Sequence, residues 1–176
     1  MDLDMILAIV RVFAGVVIAG HGAQKVFGMF GGPGLEKWTA GVRQMGFRPA
    51  GLWANAAAWG ELVGGLMLAA GFLTGIAAGV LLVDMVVAIW KVHWKNGFWI
   101  TNGGMEHSLS NAVIYGFFGI VGAGLYSLDA PLRLVSWTTL LFAGTVLFAL
   151  FGIWAGSRPE AVRVTRADEV RRRRAA

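Results

Sequence analysis

Residues 5–27 read MILAIVRVFAGVVIAGHGAQKVF. Only Arg11 and Lys25 in this run carry a full charge, and a hydrocarbon core of about 30 Å needs about 20 apolar residues in a helix. The run is too long for the core of a signal peptide, contains His21, Gln24 and Lys25, and lacks a small-residue cleavage pattern, so it is expected to be a retained span. Outward from it, four further apolar runs recur: Leu52 to about Ala70, Ile76 to about Trp94, Glu106 or Ser108 to Leu125, and Leu134 to Trp154. The breaks between them have turn chemistry. Gly28 to Gly34 contains Pro33, and Asn96-Gly97 and Asn102-Gly103-Gly104 lie in a polar loop from Lys95 to Gly104. The tight connection Gly71-Phe72-Leu73-Thr74-Gly75 predicts an antiparallel hairpin of the second and third spans. Leu35 to Gly46 predicts a short helix in the membrane interface, with Trp38 and Val42 on one face. The expected fold is an all-α, polytopic membrane helix bundle.

The composition requires the same solvent. Hydrophobic residues make up 57% of the 176 and charged residues 14%, against about 45–50% and about a quarter in soluble domains. Water would leave too much apolar surface uncovered. Glycine, 26 residues in all, recurs inside the apolar runs, as at Gly60, Gly64 and Gly65, where small residues let helix backbones approach each other in lipid. Cysteine is absent, which excludes disulfides, thiolate metal sites and cysteine redox chemistry by this chain. If the protein takes part in sulfur redox, the reactive sulfur belongs to a substrate or partner.

Charge sets the expected sidedness. With five spans, Lys25, Lys37, Arg43, Arg48, Lys91, Lys95 and the tail arginines Arg158, Arg163, Arg166 and Arg171 to Arg174 share one side. The other side collects Asp2, Asp4 and Arg133. Positive-inside then predicts the N-terminus outside and the C-terminus in the cytoplasm of a cell membrane. An Arg-rich tail can bind nucleic acid, but after a membrane span it reads as a flank near anionic lipid, and no nucleic-acid partner is expected. Trp53, Trp90, Trp94, Trp99 and Trp154 fall near the basic side and Trp137 near the other, as aromatic belts do.

Arg11, Glu61 and Asp84 lie within the spans, where a charge at the bilayer centre costs at least about 2.5 kcal/mol and so tends to face the bundle interior and pair. The expected partner of Arg11 is Glu61 or Asp84, in either a proton-handling, catalytic trio or a structural salt bridge; the excess acid would keep its proton. His21 and Lys25, four residues apart, share one helix face. His93, Glu106 and His107 end at the same expected depth. This second cluster reads as ordinary interfacial hydrogen bonding, as a pocket for a quinone or similar head group, or as paired haem ligands or a His/Glu metal site. Its spacings match no strict metal motif.

Arg11-(x)3-Gly15, His21-Gly22-(x)2-Lys25, Glu61-(x)2-Gly64-Gly65-Leu66-(x)4-Gly71-(x)2-Thr74, Gly104-(x)-Glu106 and Gly124-(x)-Tyr126-Ser127-Leu128-Asp129, in that order over about residues 5 to 130, resemble the DoxX family. The resemblance implies a four-helix bacterial or archaeal membrane core over residues 1–130, with Arg11, His21, Lys25, Glu61 and Glu106 at its characteristic polar positions. Residues 131–155 then add a fifth transmembrane helix, and 156–176 a basic cytoplasmic tail. It also implies a redox association. The founding member is similar to a subunit of a membrane thiosulfate:quinone oxidoreductase, and other members join sulfurtransferase-like or antioxidant proteins in membrane complexes. The expected function is therefore that of a subunit of a redox complex in the bacterial inner membrane, with a quinone on His21, Lys25, His93, Glu106 and His107, a protein partner, and a homo-oligomer compatible with the sequence. A non-catalytic scaffold recruiting soluble partners, or a small-molecule transporter, are the alternatives.

Overall fold

The computed structural model describes residues 2–156, and every regular element among them is helical. Six α-helices follow in order: α1 Leu3–Phe27, α2 Gly34–Gln44, α3 Ala50–Ala70, α4 Thr74–Ala88, α5 Glu106–Val121 and α6 Thr138–Gly156. The expected arginine tail begins beyond Gly156, outside the described residues.

Local chemistry fixes the ends. The Asp2 carboxylate accepts from the Met5 amide (2.8 Å) at the start of α1, satisfying one of the donors that a helix leaves open there. Gly28 (φ 70°) stops α1 and Gly71 (φ 65°) stops α3, both in the left-handed conformation that glycine adopts without strain. Beyond Ala88, α4 continues through a π-helical turn, Ile89–His93, and a short 3-10 turn, Trp94–Asn96. The fourth apolar run ends four residues before its expected limit. Gly122 (φ 90°) and Gly124 (φ 75°) break it after Val121, because a left-handed residue cannot continue the helix.

Leu3–Phe27, Thr74–Asn96 and Val135–Gly156 are long and apolar enough to cross a membrane. The 21-residue α3 and the 16-residue α5 reach about 31 and 24 Å at 1.5 Å per residue. α3 packs between α1 and α4, and α5 packs along α4. The protein is an all-helical membrane bundle.

Its core joins four helices: Leu7, Ala14 and Ile18 of α1, Leu68 of α3, Ala77, Leu81 and Met85 of α4, and Ala112, Tyr115 and Phe118 of α5. The membrane-length helix α6 lies outside this set on α4 and α5. Thr138 is its only buried residue, and Leu140, Leu147, Phe148 and Phe151 point outward, as a lipid-facing helix requires. α2 has its Val42 buried with Phe47, Ala50 and Ala54, beside Trp38 and Trp53. That agrees with the expected short helix bearing Trp38 and Val42 on one face.

The α1–α3 contact is the most extensive in the bundle, and it is close. A Cβ on Gly65 would lie 2.6 Å from the Ala19 nitrogen and 2.7 Å from the Gly15 oxygen, both backbone atoms. The notch admits hydrogen and nothing larger. Gly65→Val is therefore expected to destabilise the detergent-solubilised protein by about 1–3 kcal/mol, the usual cost of overpacking. Gly20→Ala, where nothing lies within 4 Å, should leave the thermal unfolding midpoint nearly unchanged. Equal midpoints for the two variants would contradict the close approach.

Candidate functional site

The buried stripe of α1 comprises Leu7, Arg11, Ala14, Gly15, Ile18, Ala19, Gly22 and Ala23, so its polar residues do turn toward the other helices. Their partners differ from those expected. The Lys25 ammonium lies 2.7 Å from Glu61 Oε1, and Glu61 is 3% exposed. Arg11 meets neither carboxylate. Its Nη1 donates to the Leu68 carbonyl (2.8 Å) and to that of Ala69, and its Nη2 donates to the Tyr126 carbonyl (2.7 Å).

The exchange has a geometric cause. A helical side chain leans toward the N-terminus of its own helix. Lys25, in the last turn of α1, therefore leans back into the membrane. Gly22 of α1 lies against Leu62 of α3, which brings Glu61 within reach of Lys25. Arg11 leans the opposite way relative to Glu61, toward the end of α3. The two cations are separated by about 21 Å along the helix, at 1.5 Å per residue.

Arg11 thereby serves a helix end. The last carbonyls of a helix lack intrahelical donors, and a planar guanidinium can serve several acceptors at once. Asp129, also buried and within electrostatic reach of Arg11, completes the junction. Its carboxylate accepts from the Leu73 (2.7 Å) and Thr74 (2.9 Å) amides at the start of α4. Of the two roles the sequence leaves open for Arg11, these contacts describe the lock.

Around Lys25 and Glu61 the bundle assembles a second group. Asp84 of α4, half-buried, lies close enough to interact with both. Tyr115 of α5, 1% exposed, faces both Glu61 and Asp84. Trp38 of α2 places its ring 4.3 Å from the Lys25 ammonium, within the range of a cation–π contact, and anchors itself by donating to the Ala54 carbonyl (3.0 Å). Every helix except α6 contributes to this cluster. Lys25 has three N–H donors, and the contacts with Glu61 and Trp38 do not exhaust them.

The remaining polar residues separate into two sets. His21 and His107, both exposed, bring their rings to 5.8 Å across α1 and α5, and His107 Nε2 pairs with Asn111 Nδ2 (3.1 Å). His93 and Glu106 instead order the loop between α4 and α5. His93 Nδ1 pairs with the Gly103 carbonyl (2.7 Å), and Glu106 Oε2 accepts from the Ile100 amide (3.0 Å). No group of three or more His, Asp and Glu that could hold a metal ion occurs among the described residues.

The buried Lys25–Glu61 pair, Asp84, and Arg11 with its α3 carbonyls lie on the segment that a family model matches: DoxX, over residues 6–94. The chain belongs to the DoxX family. The matched half carries Arg11, His21, Lys25, Glu61, Asp84 and His93, while Glu106, His107 and Tyr115 follow it. No curated protein and no solved structure matches this DoxX chain.

Sequence reasoning missed Trp38 and Tyr115 as members of the cluster. A signal for Tyr115 existed: a phenol in mid-span needs a polar neighbour when buried, and Tyr115 lies in the apolar run that begins at Glu106 or Ser108. The sequence puts Trp38 on the correct face of α2 but carries no sign that a lysine meets its ring.

Proposed function

We propose that this DoxX protein is a subunit of a membrane redox complex and receives the head group of a quinone, or a similar lipid-soluble electron carrier, beside Lys25 and His21. The observation that carries this reading is the buried ion pair of Lys25 and Glu61 inside membrane helices, with Asp84 and Tyr115 beside it. Intramembrane ionisable residues are costly and mark functional sites by default. The spare N–H donors of Lys25 and the ring of His21 suit a carbonyl acceptor, and the carboxyls suit the protons that quinone reduction consumes. The DoxX family's association with redox-related membrane proteins supports the assignment. A separate protein partner would supply the electrons, since this chain has no cysteine.

The proposed orientation places the N-terminus outside and the His21–Lys25 end at the cytoplasmic face. Lys25, Lys37, Arg43, Arg48, Lys91 and Lys95 belong to that end of the bundle, and positive-inside assigns it to the cytoplasm.

Purified protein in lipid nanodiscs should bind a short-chain quinone, and organic extracts of freshly purified protein should contain one. His21→Ala and Glu61→Ala, checked for intact folding, should each weaken binding about tenfold, equivalent to about 1.4 kcal/mol. Unchanged binding in both variants, or none in the parent, would remove the quinone.

A further inference from the structure

We propose that Glu61 and Asp84 hold one proton between them, so that the resting cluster consists of an ammonium, a carboxylate and a neutral carboxylic acid. Glu61 spends Oε1 on Lys25, while its Oε2 is buried with no donor. A buried oxygen of this kind is costly unless something donates to it. Asp84, on the facing helix, lies within side-chain hydrogen-bonding reach of Glu61, and its protonated form supplies an O–H donor to the orphaned oxygen.

Charge counting leads to the same state. The groups facing the pair are Lys25 from α1 and Tyr115 from α5. Arg11 is committed to carbonyls at the other end of the bundle. One lysine against two ionised carboxyls would leave a net negative charge inside the membrane, where an uncompensated charge is expensive. One added proton brings the sum to zero, and it satisfies Glu61 Oε2 at the same time. Two carboxyls sharing one site do not both ionise readily, and the proton belongs to the pair rather than to either residue.

The inference goes beyond quinone binding and stands whether or not a quinone is the ligand. Infrared absorption of the full chain in lipid nanodiscs at neutral pH reads it directly. The wild-type spectrum should contain a protonated-carboxyl C=O band that shifts in D2O. Asp84→Asn and Glu61→Gln should each remove one carboxyl's worth of that band, because the remaining carboxylate then pairs with Lys25 and ionises. Both replacements are close to isosteric, and circular dichroism confirms that the helices persist. Absence of the band in the wild type, or a band of undiminished wild-type intensity in either variant, overturns the shared proton. Since no quinone is added, this result and the binding result above can fail independently.

Discussion

Replacing Arg11 by Met should cost the bundle about 3 kcal/mol and lower the detergent unfolding temperature markedly. The variant strands the carbonyls of Ala69 and Tyr126 and leaves that of Leu68 with the Gly71 amide alone, at about 1 kcal/mol or more for each acceptor left without a donor, and it opens a gap where the guanidinium packed. It also leaves Asp129 buried without its neighbouring guanidinium. Arg11→Lys should recover only part of the loss, because one ammonium cannot span carbonyls on α3 and on the 122–134 loop as the guanidinium fork does. Thermal unfolding followed by circular dichroism decides the matter. A Met variant as stable as the parent would mean that the junction between α3, α4 and this loop holds without its cation.

Lys25→Met should be comparably damaging, for a different reason. It leaves Glu61, 3% exposed, without its counter-ion in a site that lipid surrounds. Removing one partner of a buried pair costs about 3–5 kcal/mol. The double variant Lys25→Met with Glu61→Gln contains no unpaired charge and should recover most of that stability, giving a coupling energy of about 2 kcal/mol or more in a double-mutant cycle. Simple additivity of the two single variants would show that the pair contributes little to the fold. Function would separate from stability here, since the rescued double variant should still fail to bind a short-chain quinone.

The helices were legible because lipid imposes a strong rule on sequence. Runs of about 20 apolar residues had to be helical to satisfy their own backbone, and the expected hairpin at Gly71 to Gly75 is the observed turn between α3 and α4. The polar stripe of α1 was equally plain, since Arg11, Ala14, Ile18 and Gly22 recur on one helical face and are all buried. Pairing was harder. Counting residues gives the depth of a Cα but not where a long side chain ends, and Lys25 and Arg11 each reach about a turn from their own backbone. Asp129 was beyond reach for a related reason: its partners Leu73 and Thr74 lie more than fifty positions away, and spacing along the chain carries no information about such a contact. The π-helical turn at Ile89–His93 falls where Trp90, Lys91 and His93 interrupt the apolar run, and that polarity change marks a membrane edge as readily as a change of helix type.

The glycine notch between α1 and α3 has a mechanical consequence. Backbones that meet with no side chain between them have no soft layer to compress, so these two helices move together as one stiff plank carrying both Lys25 and Glu61. α1 and α5 touch only sparsely. A molecule that entered the charged centre from the bilayer between α1 and α5 would therefore displace Tyr115 and His107 and leave the ion pair in place.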